Sequence, residues 1–317
     1  MTSLLQVDQL SRYFGPTRAV ADLSFTVERG EILGFLGPNG AGKSTTMKMM
    51  TGNLAPSAGQ ITINGFDLLE QPRQAKAQIG YLPEQPPVYR ELTVDEYLGY
   101  CARLNRIERG RLRVAVDTAK ERCGLTEVGR RLIGNLSKGF QQRVGIAQAI
   151  IHMPELIVLD EPTVGLDPIQ IREIRALIRN LGEEHSVILS THILPEVKSV
   201  CDRVQIIDKG ELVYTDTIAG MDRRMQSSSL MLAMHRPPVE QDFLSIPGVI
   251  SVESANTEYM RIHFDPQNNP AQQLVAASVA GGWGLYELTP ERLSLEQVFV
   301  DITCTEHDET RAGEGAS

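Results

Sequence analysis

Ile32-Leu-Gly-Phe-Leu36, followed at once by Gly37-Pro-Asn-Gly-Ala-Gly-Lys-Ser44, decides the reading of this chain. The second stretch has the spacing G-x-x-x-x-G-K-[ST]. An apolar strand leads into it and a helix beginning near Lys43 leads out, the context in which this pattern cradles phosphates. Glycine at Gly37, Gly40 and Gly42 lets backbone N–H groups converge where a side chain would collide. Pro38, Asn39, Ala41 and Thr45 complete the loop, and the helix N-terminus adds partial positive charge. Lys43 brings a mobile cation to the β- and γ-phosphate oxygens, and the Ser44 hydroxyl is placed to ligate Mg²⁺.

The second anchor is Leu156-Ile-Val-Leu-Asp-Glu-Pro162. An apolar run ending in acids puts Asp160 and Glu161 at the C-terminal edge of a buried strand, where open α/β sheets bind ligands. Asp160 can hold Mg²⁺ directly or through its water, and Glu161 can polarise an attacking water. Outward from these anchors, period-two runs at Leu4–Val7, Leu23–Val27 and Gln60–Asn64 make the first 66 residues β-rich. Residues 90–150 switch to helical spacing. Short apolar runs then return at Val187–Leu189 and Val204–Ile207, with a helical stretch at Ile169–Leu181. Strands alternating with helices predict an α/β core with a parallel sheet, a β-rich N-terminal subdomain and a helical insertion at about 90–150.

That core domain is expected over 1–217. Polar residues at 219–229 read as a linker, and 218–305 as a small α+β accessory domain. Its strands are expected at Leu230–Met234, Val249–Glu253, Tyr259–Phe264 and Gly284–Leu288, and its helices at Ala271–Val279 and Glu291–Ile302. The polar residues 306–317 are expected to be a disordered tail.

An apolar fraction of 42% excludes wholesale disorder. Nothing reaches the roughly 18 to 20 apolar residues that cross a bilayer, and the N-terminus turns polar too early for a secretory signal. A cytoplasmic chain is expected, meeting a membrane only through a partner. The four cysteines and six histidines are scattered, without metal-ligand or redox spacing. Residues 218–317 carry 6 Lys+Arg against 14 Asp+Glu, which argues against a nucleic-acid surface there. Residues 101–143 carry 11 basic and 4 acidic residues, read as a solvated helical face.

Leu136-Ser-Lys-Gly-Phe-Gln-Gln-Arg143 opens a helix ahead of the acidic strand, and Ser137 alone would pass for a simple N-cap. Asp167 follows in Val164-Gly-Leu-Asp-Pro168, Ser190-Thr-His192 closes the next apolar strand, and Ile79-Gly-Tyr-Leu-Pro-Glu84 lies upstream. This ordered set resembles the nucleotide-binding subunit of an ABC transporter, a phosphate-loop NTPase, over about residues 4–217. The resemblance implies ATP and Mg²⁺ as ligands, with Lys43 and Ser44 on phosphate and metal and Asp160 supporting the metal. Glu161 would be the general base, and His192 would contact the γ-phosphate and hold the attacking water. Ser137 and Gly139 would contact nucleotide bound by a second copy, with Asp167 at that dimer contact. Phe14, or else neighbouring Tyr13, would stack on adenine, the alternative being edge-strand packing.

Two departures from the family pattern stand out. Lys138 and Phe140 replace the usual Gly and Gln of the signature, a variation similar to that of ATPases serving two-component exporters. Glu84 occupies the glutamine-loop position, where it could still approach Mg²⁺ or its water. The ending Ser294-Leu-Glu-Gln-Val-Phe-Val-Asp-Ile-Thr303 resembles the C-terminal extension of the drug-export, gliding-motility and nitrous-oxide-reductase-maturation ATPases. Leu295, Val298, Phe299 and Ile302 recur there at helical spacing as a core-facing stripe.

The expected function is an ATP-binding, ATP-hydrolysing subunit that powers a separate integral-membrane permease through a head-to-tail homodimer. The family docks that permease near Leu92–Leu104, which implies a cytoplasmic protein peripheral on the inner face of the cell membrane. A non-transport ABC-type ATPase is the alternative, but no coiled coil, zinc hook or second core is present. A nucleotide-dependent regulator is disfavoured by intact Glu161 and His192. A GTPase is disfavoured by the lack of an N-K-x-D motif.

Overall fold

The structure, a computed structural model, describes residues 3–254 and 259–292. The chain divides into two compact units, Met1–Ile218 and Ala219–Ser317.

The first unit opens with an antiparallel ribbon of β1 (Ser3–Phe14) and β2 (Thr17–Glu28). Leu5, Val7 and Leu10 of β1 and Val20, Leu23, Phe25 and Val27 of β2 are buried. Both strands run beyond the expected Leu4–Val7 and Leu23–Val27. A register shift between Val7 and Leu10, with Gln9 at φ 47°, switches the alternation and conceals the continuation. Next come β3 (Ile32–Leu36), α1 (Lys43–Met50), β4 (Ala58–Ile63) and β5 (Phe66–Asp67). The ribbon joins β4 and β5 in a sheet of order β2-β1-β4-β5.

After α2 (Pro72–Ala77) and β6 (Ile79–Leu82) the chain enters the helical region. It consists of α3 (Val94–Leu104), α4 (Leu112–Arg122) and α5 (Lys138–Ile150). A capping box starts α3: the Thr93 hydroxyl accepts from Glu96 N at 3.3 Å, and the Glu96 carboxylate accepts from Thr93 N at 2.9 Å. The alternation then resumes with β7 (Leu156–Asp160), α6 (Pro168–Leu181), β8 (Ser186–Thr191), α7 (Leu194–Val200), β9 (Arg203–Asp208) and β10 (Glu211–Thr217).

These strands and β3 form the central sheet, order β10-β9-β3-β8-β7-β6, parallel from β9 to β6 with β10 antiparallel at its edge. Every residue of β3, β7 and β8 is buried, as a parallel sheet covered on both faces requires. Register brings the strand ends level: Leu36 lies beside Thr191, Asp160 beside Ser190, and Leu82 beside Leu159. Whatever follows those residues emerges along one edge of the sheet.

In the second unit, residues expected to be a linker are regular structure. Helix α8 (Ile218–Met225) runs directly into β11 (Gln226–Met234). The serine run there is polar for a reason supplied by the fold, since buried Ser229 donates to Glu291, far along the chain, at 2.7 Å. Then follow α9 (Glu240–Leu244), β12 (Val249–Ser254), β13 (Tyr259–Phe264), α10 (Ala271–Gly281) and β14 (Leu285–Arg292). The sheet order β12-β13-β11-β14, antiparallel throughout, makes a split β-α-β arrangement around its own core of Leu230, Leu232, Phe243, Ile262, Phe264 and Leu274. Glu291, expected to begin a helix, ends a strand instead. The expected stripe at Leu295, Val298, Phe299 and Ile302, and the tail 306–317, lie outside the described residues.

Candidate functional site

The loop from Gly37 to Gly42 joins β3 to α1 and wraps close to the backbone on both sides. A Cβ at Gly37 would collide with the Ile207 carbonyl oxygen. At Gly42, φ is 106° and a Cβ would sit 2.7 Å from the Ala19 carbonyl. Only glycine fits either position. Lys43, 5% exposed, turns its ammonium back onto the loop, donating to the Gly37 carbonyl at 2.8 Å and the Pro38 carbonyl at 3.2 Å.

Beside this loop the level strand ends deliver the acids. Asp160 is 2% exposed and accepts a hydrogen bond from the Ser44 hydroxyl at 3.3 Å. Glu161 leaves β7 with φ at 49°, a left-handed conformation that costs a non-glycine residue energy and clusters at functional positions. Its backbone is held there by donation from Glu161 N to the Ser190 carbonyl at 2.9 Å. The carboxylate lies 3.5 Å from the Lys43 ammonium and 3.0 Å from His192 Nδ1. A carboxylate only accepts, so Nδ1 carries the hydrogen in this pair. Burial and the nearby Asp160 charge both raise the Tyr81 pKa, and its buried hydroxyl has no hydrogen-bond partner among the described residues.

A cleft of about 440 Å³ opens over these groups, lined by Ala19, Asn39, Gly40, Gly42, Lys43, Ser44, Thr45, Glu84, Glu161, Val164 and His192. Larger clefts of about 670 and 730 Å³ open on the helical region, but neither is lined by a residue of the phosphate loop or of the acidic strand end. Size is therefore a poor guide here, and the chemistry marks the smaller one. Among the described residues no group of three or more His, Cys, Asp or Glu side chains could hold a metal ion. The Ser44–Asp160 pair offers a different fit. Two hard oxygens beside a phosphate cradle suit Mg²⁺, which takes few protein ligands and completes its shell with phosphate and water.

Three of the expected residues gather at the starts of α5 and α6. Ser137 caps α5, accepting from Phe140 N at 3.4 Å, and Asp167 caps α6, accepting from Ile169 N and Gln170 N at 2.9 Å each. A Cβ on Gly139 would stand 2.7 Å from Gln170, so the starts of α5 and α6 are packed together. None of the three lines the cleft. Tyr13 and Phe14 do not line it either, because they sit at the β1–β2 turn, paired with Arg18 and Thr17. Phe14 is 48% exposed and carries the Arg12 guanidinium 4.7 Å over its ring. Ala19 supplies the wall instead.

Sequence reasoning missed Thr163, Thr191 and Glu196. The Glu196 carboxylate, 1% exposed, accepts from the Thr163 hydroxyl at 2.6 Å and the Thr191 hydroxyl at 3.0 Å. In the sequence this glutamate is indistinguishable from any acid in the first turn of a helix.

Comparison with known proteins gives this geometry its setting. The family model described as ABC transporter matches residues 20–164. The ABC transporter ATP-binding protein NatA of Bacillus subtilis (strain 168) is 39% identical over 215 residues, covering 67% of this chain and 87% of that protein. The linearmycin resistance ATP-binding protein LnrL of the same organism is 30% identical over 305 residues, covering 95% and 98%. A solved ATP-binding subunit of an ABC transporter superposes with a TM-score of 0.63 at 32% identity, covering 70% of this chain and 93% of the other. The chain belongs to the ATP-binding subunits of ABC transporters, nucleotide-binding ATPases with a phosphate-loop NTPase fold.

Proposed function

We propose that this chain binds Mg-ATP in the cleft over Lys43 and hydrolyses it with Glu161 as general base, to drive a separate membrane permease. The observation that carries the reading is Glu161 itself, strained at φ 49° and held between Lys43 and His192 at the end of β7. Bound phosphate would compete with the loop carbonyls for the Lys43 ammonium and draw it off Glu161. The carboxylate, relieved of that cation, accepts a proton from water as its oxygen attacks the γ-phosphorus and ADP departs. His192 is tied to Glu161 through Nδ1, and Nε2 would meet a phosphate oxygen only as a second N–H donor. Mg²⁺ would be held by Ser44 and Asp160, with Glu84 on the wall of the same cleft, and would supply charge neutralisation to the phosphates.

Ser137, Gly139 and Asp167 stand at the starts of α5 and α6 and do not line the cleft, which supports their serving the nucleotide of a second copy. Hydrolysis would then require a head-to-tail dimer. Phe14, exposed at the ribbon end, would meet adenine outside the phosphate cleft. No helix among the described residues is long and apolar enough to cross a membrane, so transport would need another polypeptide. LnrL, named for linearmycin resistance, matches across both units, which supports a transporter built with the C-terminal unit as an integral part.

The test is calorimetry with Mg-ATP and phosphate release by the purified chain, alone and with a co-expressed permease. Absence of Mg-ATP binding would overturn the reading. Hydrolysis that needs no dimer would remove the second copy from it.

A further inference from the structure

The Glu161–His192 pair has a second, indirect connection through the buried carboxylate of Glu196. Thr163, two residues after Glu161, donates to Glu196 Oε1 at 2.6 Å. Thr191, immediately before His192, donates to Glu196 Oε2 at 3.0 Å. The Thr191 hydroxyl also accepts from Ile193 N at 3.1 Å, so it brackets the histidine from both sides. With the direct contact between His192 and Glu161, these bonds close a ring. Around it run Glu161, the turn to Thr163, the Glu196 carboxylate, Thr191 and His192. Arg175 of α6 lies 3.4 Å from the same carboxylate and, at 25% side-chain exposure, offsets a charge otherwise buried.

We propose that Glu196 is a positioning residue for hydrolysis, holding the turns that carry Glu161 and His192 in one geometry. The proposal rests on reading those two as the hydrolytic pair. Each turn has a reason to need the brace. Glu161 sits at positive φ, a strained conformation for a non-glycine residue that its surroundings must offset. His192 is attached to β8 by a short connection before α7 begins, and its ring is 42% exposed at the side chain. A carboxylate with both oxygens engaged fixes the spacing of the two turns as a single hydroxyl–hydroxyl contact would not. It also links α7 and α6 to the site, neither of which reaches the cleft itself.

Thr191→Val and Thr163→Val remove one hydroxyl each at nearly constant volume, and Thr191→Ser keeps it. The two valine variants should each lose about tenfold or more in kcat with KM for Mg-ATP moved less than about threefold, and Thr191→Ser should stay near wild type. The double variant should lose less than the product of the singles, because both act through one carboxylate. Glu196→Gln, which keeps the volume and one acceptor, should show the same split. A purely structural role predicts lower melting temperatures with unchanged kcat well below the melt. That result, or multiplicative losses in the double variant, overturns the proposal. Glu161→Gln serves as the control on the underlying reading. Wild-type hydrolysis in that variant refutes the hydrolytic pair, whereas hydrolysis lost there but intact in folded Thr191→Val refutes only Glu196.

Discussion

His192 Nδ1 stands 3.0 Å from Glu161 Oε2, though the two residues follow different strands and are separated by a whole helix. The contact follows from sheet register: Asp160 pairs with Ser190, so the residues just beyond them emerge side by side. The proposed base and the histidine that would orient it are thereby brought together by backbone pairing before any side chain chooses a rotamer.

The Glu161→Gln variant should bind Mg-ATP with near-normal affinity and lose about a hundredfold or more in turnover. The amide keeps the shape but takes up no proton. Phosphate release and calorimetry on the same sample check it, and sizing with ATP should show a longer-lived dimer.

Lys43→Ala should abolish tight Mg-ATP binding, since Lys43 is the one cation in the loop sequence and its ammonium is already within reach of the loop carbonyls. Unchanged affinity in calorimetry would move the phosphate site elsewhere.

Burial pushes the His152 pKa below its ordinary value, outweighing the hydrogen bond to the Ile79 carbonyl, and the buried Nδ1 has no hydrogen-bond partner among the described residues. The fold therefore favours the neutral ring. Its contribution to stability is complete above the ordinary pKa of 6.5 and is lost as pH falls through the lowered folded value. Between about pH 7.5 and 5.5 the melting temperature should fall less in His152→Gln, which can still donate to Ile79, than in wild type. Identical acid slopes would show that the ring does not titrate.

Burial also pushes the Cys123 thiol up to about 12, and raises Cys101 and Cys201 above the ordinary value. At about pH 8 iodoacetamide should leave all three unmodified in the folded protein and alkylate them in denaturant, as read by peptide mass. Rapid native labelling of Cys123 would indicate frequent local opening of the helical region.

Ending the chain at Ile218 should leave a folded protein that binds Mg-ATP normally, because the central sheet is complete at β10 and the second unit has its own core. The expected changes are in dimer lifetime or in stimulation by the permease. Thermal melts and ATP binding decide this, and an unfolded fragment would mean that the two units share their stability.

The residues by themselves determined the phosphate loop, the acidic strand end, the helix start at Ser137, and the histidine after β8. Each depends on backbone chemistry within a few residues: a glycine where a Cβ would strike a carbonyl, an acid after a buried apolar run, a capping side chain before a helix. The ends of β1 and β2 were hidden because a bulge shifts the phase of the alternation. The serine run of β11 passed for a linker because its partner, Glu291, lies far along the chain. Glu196 was illegible for the same reason. Its meaning comes from Thr163 and Thr191, which reach it only once β7 and β8 are in register and α7 is packed beside them. Local chemistry wrote the motifs, whereas the brace between them is made of long-range contacts that exist only in the folded chain.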